Sequence, residues 1–220
     1  MLKLLLLLLV LGCAPAFSQC SAPCLQTTNL GVFSSTTAGS LLVATCGSGL
    51  TADTVTGVTD AQGRTWFRAV YSGVNFGLFT YFAFNTLTSG VGSLTFTGGS
   101  CGRTWLSEWS GMATSSVVDG VSDNGGSSGV CDPGTITSTA SNNVIYGVGM
   151  SNDGTVGQEA AGYFQLSTSG SEDSEYKVAS STSNDPTFTT TLAWECQGVA
   201  FKQAGGGGGG STAPRRRVIN

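Results

Sequence analysis

Histidine is absent from all 220 residues, and that gap removes several chemistries. No Ser-His-Asp or Cys-His nucleophile system can be assembled, nor a zinc protease site, nor a histidine-held haem or copper. Charge is scarce as well. Asp, Glu, Lys and Arg make up 10% of the chain, against roughly 25% in ordinary soluble proteins. The charges present lean one way: all 13 acids but only five of the nine bases fall between Gln19 and Ala204, a net of −8. Such a body repels nucleic acid and anionic membranes, so no nucleic-acid partner is expected. No window carries a 3.6-residue apolar stripe, and the abundant Ser and Thr with 33 glycines work against helices.

What is present begins with a leader. Met1-Leu2-Lys3 is a short positive start, and Leu4 to Leu11 is an unbroken apolar run of eight. That run is too short to span a bilayer core of roughly 30 Å, so no transmembrane span is expected. It has the form of the apolar region of a secretory signal peptide. Ala14-Pro15-Ala16 and Ala16-Phe17-Ser18 each offer a cleavage site. Val10-Leu11-Gly12-Cys13 also has the outline of a lipobox, in which Cys13 would carry a lipid anchor. The expected organisation is a signal peptide over 1–18, one domain over 19–204, and a tail over 205–220. The expected location is extracellular or at the cell surface.

Cysteine usage points the same way. Setting Cys13 aside leaves Cys20, Cys24, Cys46, Cys101, Cys131 and Cys196. An even set of six suits a disulfide framework in an oxidising compartment, with three bonds among 15 connectivities. Cys46 with Cys196 is one expected pair, because the first and last strands of a sandwich often lie side by side. Cys20-x-x-x-Cys24 has a spacing that zinc tolerates, but no second cysteine pair or histidine follows, so no metal centre is assigned.

The body reads as strands. Period-2 alternation and β-branched or aromatic runs recur between Gly, Ser, Asn and Asp clusters. The candidates are 41–46, 54–59, 65–71, 76–84, 92–97 and 103–109, then 134–139, 143–150, 162–167, 174–179, 187–192 and 195–202. Asp60-Ala61-Gln62-Gly63 is a turn signal that predicts a hairpin of 54–59 with 65–71. In 76–84 both parities are apolar, so that strand should be covered on both faces. In 143–150, Val144, Tyr146, Val148 and Met150 share one parity, while Gly147 and Gly149 leave the other open to close approach. The fold class predicted is all-β: two packed antiparallel sheets. After Ala204 come six glycines, then Arg215-Arg216-Arg217. This reads as a Gly-rich linker with a disordered basic tail.

Several phrases occur in order: SLLVAT from Ser40, VTGVTDAQGRTW from Val55, TYFAFN from Thr80, SLTFT from Ser93, LSEWSG from Leu106 and WECQGVAFK from Trp194. Over Asn29 to Lys202 the set resembles a group of secreted bacterial β-sandwich surface modules, jelly-roll in type and similar in outline to concanavalin-like and laminin-G-like domains. The resemblance implies a jelly-roll sandwich and an extracellular setting. It implies no catalytic residue.

Three sets of residues carry candidate chemistry. Trp66, Trp105 and Trp109 would serve carbohydrate binding, because an aromatic face packs on a pyranose; the competing role is core packing. Trp105 and Trp109 share a parity and face one way. Glu108 and Glu195 each adjoin a Trp within a predicted strand, and two carboxylates roughly 5–5.5 Å apart make a retaining glycosidase. Glu108 has the parity opposite to Trp105 and Trp109, and a surface-facing role competes. Calcium would want six to eight oxygens; Asp119 to Gly126, including Asp123 and Asn124, and Asn152-Asp153-Gly154 are oxygen-rich stretches that turns also use. No cofactor is required. The expected function is a non-catalytic extracellular structural or adhesion module, meeting a polysaccharide or another surface protein. Carbohydrate binding is the alternative, and glycoside hydrolysis a further one.

Overall fold

The structure, a computed structural model, describes residues 22–29, 31–151, 156–158, 160–168 and 170–205. The leader, Cys13, Cys20, Asn152, Asp153 and the tail beyond Gly205 lie outside them. No helix occurs among the described residues, so none is long and apolar enough to cross a membrane. The strands are β1 (Cys24–Thr28), β2 (Leu41–Ser48), β3 (Gly57–Thr59), β4 (Phe67–Ser72), β5 (Gly77–Phe84), β6 (Thr95–Thr97) and β7 (Arg103–Trp109). There follow β8 (Val118–Gly126), β9 (Gly129–Cys131), β10 (Ile136–Thr137), β11 (Val144–Ser151) and β12 (Gly157–Gln158). The last are β13 (Phe164–Thr168), β14 (Glu172–Val178), β15 (Ser183–Asn184), β16 (Phe188–Thr190) and β17 (Trp194–Phe201).

Two five-stranded antiparallel sheets dominate, ordered β1-β7-β2-β5-β4 and β8-β17-β11-β14-β13. Ranked along their own halves of the chain, both follow one plan: first, last, second, fourth, third. The backbone closures repeat too. Ser110 N–H donates to Pro23 C=O at 2.8 Å, and Lys202 N–H to Val117 C=O at 2.7 Å. Asn85 N–H donates to Ser40 C=O at 2.9 Å, and Ala179 N–H to Asn143 C=O at 2.8 Å. Each half therefore builds its own sheet. A jelly roll winds its Greek keys across both sheets, so the expected jelly-roll connectivity is not what the chain adopts.

One hydrophobic cluster draws on both sheets. Leu41, Val43, Leu78, Trp105 and Trp109 come from the first, and Val144, Tyr146, Val148, Tyr176, Val199 and Phe201 from the second. The opposite parities face outward under short layers. β3 and β6 cover the first sheet, where Cys46, Val55, Val58, Phe79 and Tyr81 cluster. β9, β16 and β12 cover the second, where Cys131, Phe188, Trp194 and Cys196 cluster. This is why β5 is apolar on both parities. The glycines of β11 admit side chains: a Cβ on Gly147 would lie 2.6 Å from the Pro186 side chain, and one on Gly149 would lie 3.0 Å from the Phe188 ring.

Three local expectations are corrected. Residues 60–63 do turn, with Gly63 N–H donating to Asp60 C=O at 3.1 Å. The hairpin does not form, because β3 pairs with β6 in the outer layer while β4 pairs with β5 in the sheet. The oxygen-rich stretch Asp119 to Gly126 is not a loop; it belongs to β8, aligned by its pairing with β17. Cys46 does not bond Cys196: the disulfides are Cys46–Cys101 and Cys131–Cys196, with Cα atoms 5.4 and 5.9 Å apart. Cys46 and Cys196 sit in different sheets and face opposite outer layers, so both sheets lie between them. Cys24 is disulfide-bonded as well.

Candidate binding groove

The edge strands β4 and β8 approach each other on one side of the molecule. Near the junction of Ser72, Val74 and Asn75 with Glu195 that side is closed by hydrogen bonds. Toward the other end it is open. Phe67 stacks on Phe82 with ring centres 5.5 Å apart, and Phe84 lies 6.4 Å from Phe67 and 5.7 Å from Phe82. Phe82 in turn meets Phe201 of the shared core at 6.3 Å. The rings form one wall of a groove of about 410 Å³, with Val117 and Val118 opposite and Arg68 at the rim. Arg68 is held by Asp53 at 2.6 Å. Phe67 is 46% exposed, a large apolar ring in water beside a preformed hollow. Phe84 also borders a second depression of about 580 Å³, walled by Leu41, Met112 and Ala113. Alternation places Phe82 and Phe84 on the face shared with Leu78, and the pairing of Phe67 with Phe82 adds the third ring. The sequence marked β5 as apolar on both sides but gave no sign that this end of the core is left open.

The residues singled out from sequence lie elsewhere. Trp105 and Trp109 share a face as expected, and that face is the core: they are 3% and 0% exposed. Trp109 donates from Nε1 to Ser107 Oγ at 2.8 Å and packs edge-on against Tyr176 at 5.1 Å. Trp66 is half-buried against the outer layer and donates from Nε1 to Asp60 Oδ2 at 3.1 Å. None of the three rings lines the groove.

Glu108 and Glu195 are both fully buried, so neither faces the surface. Glu108 points outward from the first sheet, on the parity of Leu106. It accepts from Thr37 N–H at 2.5 Å, Gln26 Nε2 at 2.5 Å and Ser40 Oγ at 2.7 Å. Glu195 points into the space between the sheets, on the parity of Val199. It accepts from Ser72 Oγ, and from the N–H groups of Val74 at 3.0 Å, Asn75 at 2.8 Å and Phe76 at 3.4 Å. The first sheet stands between the two carboxylates, so the structure does not bring them together as a catalytic pair. Each clamps a loop whose backbone donors would otherwise be unsatisfied.

Asp119 and Asn124 of the expected calcium stretch are also engaged. Asp119 accepts from Thr139 N–H and Oγ1, both at 2.7 Å, and from Asn143 Nδ2 at 2.5 Å. Lys202 Nζ lies 3.1 Å from its other side. Burial pushes the Asp119 carboxyl up, but the donors of Thr139, Asn143 and Lys202 outweigh it and hold the group well below the usual carboxylate range. Asn124 accepts from Gly125 N–H at 3.0 Å and donates from Nδ2 to Asp132 C=O at 3.2 Å. Among the described residues no group of three or more His, Cys, Asp or Glu is placed to hold a metal ion.

No protein-family model, curated protein or solved structure matches this chain.

Proposed function

We propose that the chain is an exported, non-catalytic surface module: a two-layer β-sandwich whose interior chemistry is spent on rigidity and whose open edge attaches it to a partner. The observation that carries this reading is the use of Glu108 and Glu195. They are buried carboxylates inside strands, and each is saturated by backbone and hydroxyl donors from a loop. A general acid or nucleophile needs a carboxylate free to meet substrate. The disulfides Cys46–Cys101 and Cys131–Cys196 suit an oxidising, extracellular environment. The leader over 1–18 supplies the route.

A carbohydrate reading keeps one specific support, moved from tryptophan to phenylalanine. Phe67 offers an exposed ring beside a groove, the arrangement on which a sugar face packs. One set of experiments tests both readings. Affinity electrophoresis through soluble polysaccharides, with a parallel screen on aryl glycosides, should find no turnover. Retardation that Phe67→Ala reduces by about tenfold, the loss of roughly 1.4 kcal/mol, would favour the sugar reading over a protein partner. Turnover abolished by Glu108→Gln or Glu195→Gln with the fold intact would overturn the non-catalytic one.

A further inference from the structure

Asn143, Asp119 and Lys202 meet at one corner of the second sheet. β11 and β17 pair antiparallel with Val144 opposite Phe201, so Asn143 and Lys202, one step beyond, stand across from each other. On the far side of β17, β8 opposes Ala200 with Gly120 and Phe201 with Val118. Asp119 is therefore the extra residue of a bulge, a device that re-aims a side chain. Its carboxylate takes Asn143 Nδ2 on Oδ2 at 2.5 Å and faces Lys202 Nζ from Oδ1 at 3.1 Å. An amine and a carboxamide are thus seated on the two oxygens of one carboxylate. Asn143 is 1% exposed, and its Oδ1 has no hydrogen-bond partner among the described residues.

The fold does not need this arrangement. The first sheet closes the equivalent corner with Ser40 and Ser110 in the places of Asn143 and Lys202. The matching backbone bonds, Ser110 to Pro23 against Lys202 to Val117 and Asn85 to Ser40 against Ala179 to Asn143, are within 0.1 Å of each other. The three side chains are an addition to a corner that already holds.

We propose that Lys202 Nζ and Asn143 Cγ condense into an intramolecular isopeptide bond, with Asp119 as the template. The Lys202 ammonium gives one proton to solvent, which reaches it because a third of its side chain is exposed. The amine lone pair forms the new bond to Asn143 Cγ. Asp119, hydrogen-bonded to both nitrogens, relays a proton from Nζ to Nδ2; the Cγ–Nδ2 bond breaks and ammonia leaves. An ammonium and a carboxamide become a secondary amide and an ammonium ion, so no oxidant, metal or cofactor enters. Holding the two groups at fixed positions supplies the effective concentration that makes an otherwise negligible aminolysis proceed. The bond would tie β17 to β11 at the point where the described chain ends. The inference stands apart from the surface-module reading and does not depend on it.

The test is mass spectrometry of the purified, fully reduced protein, intact and after proteolysis. The expected wild-type mass is lower than that of the sequence by one ammonia, with a branched peptide joining the segments that contain Asn143 and Lys202. Lys202→Arg keeps the cation beside Asp119 and should fold, yet lack the ammonia loss at this corner and the branched peptide; Asp119→Ala should lose the branch as well. An N-terminal glutamine also loses ammonia on cyclising, but that loss survives in Lys202→Arg and produces no branch. Linear peptides carrying an unmodified Asn143 and Lys202 from folded, aged wild-type protein would overturn the proposal.

Discussion

Glu195 and Glu108 carry the clearest consequence at the scale of single residues. A buried carboxylate holding several N–H and O–H donors stabilises by charge-assisted bonds worth about 1.5–3 kcal/mol each, and removing it strands its donors. Glu195→Ala should therefore lower unfolding stability by about 3 kcal/mol, read as the shift of a urea midpoint at constant slope. A change under about 0.5 kcal/mol would mean that the clamp around Ser72, Val74 and Asn75 is not formed in solution. The tryptophans give a second check. Trp105, Trp109 and Trp194 are all under 10% exposed, so acrylamide should quench the emission weakly, and Trp66→Phe should remove most of what is quenchable. The sequence flagged both glutamates, because a charge beside Trp inside a strand is unusual. Their role was not legible there. Ser72, the hydroxyl partner of Glu195, is 123 positions away, and only the pairing of whole sheets brings them together.

Elements were more legible than residues. Six of the apolar candidates became β2, β4, β5, β7, β11 and β17 with ends shifted by a few positions. β1, β8, β9, β12 and β15 were missed. β8 is the instructive case: Val118–Gly126 is half-exposed and rich in Asp, Asn and Gly, the composition of a turn, and its extended form comes from pairing with β17 rather than from its own residues. The glycine slot on the outer face of the second sheet yields a prediction at this scale. Gly147 lies opposite Gly198, and a Cβ on Gly198 would come 2.5 Å from Ile136 Cδ1. Pro186 fits over the pair. Gly147→Ala should cost about 1–3 kcal/mol by overpacking, whereas Gly129→Ala, in open space but at φ 88°, tests backbone strain alone. The Cys46–Cys101 bond spans 55 residues, so the chain-entropy model gives it about 4 kcal/mol. Replacing both cysteines by serine should lower stability by up to that amount and leave the circular dichroism of the sheets in place.

At the scale of the whole molecule, the described residues repeat one strand plan in two five-stranded sheets that share a hydrophobic cluster, and that repetition was invisible in the sequence because the halves share topology, not residues. Charge does not follow the repetition. In the first half Asp53 and Asp60 are neutralised by Arg68 and Arg64. In the second half Asp185 lies beside Asp132, and Lys177 stands near both Asp185 and Glu175. The pH dependence of stability follows from which carboxyls folding favours in which form. For Asp119 and Asp60, burial is outweighed by hydrogen-bond donors, Thr139 and Asn143 in one case and Gln62 and Trp66 in the other, so the folded value lies below 3.8. A group depressed on folding stabilises above its unfolded value and loses that contribution as pH falls through and below it. For Glu172 and Asp185 burial wins. It pushes Glu172 above 4.5 against the pull of Arg103, and Asp185 above 3.8 with the neighbouring Asp132 charge adding to the push. These two keep a proton in the folded state that the unfolded chain has lost, so their contribution declines as pH rises through the range just above those values. Without histidine, no side chain with an ordinary value titrates between about pH 5 and 8. Stability should therefore fall below about pH 4 as Asp119 and Asp60 take protons, and should decline from a mildly acidic maximum as rising pH strips Glu172 and Asp185 of theirs. Urea midpoints measured across that range test the shape. Asp185→Asn should flatten the acidic rise and leave the low-pH fall unchanged, while a stability that drops steadily between pH 7 and pH 5 would contradict the assignment of Glu172 and Asp185.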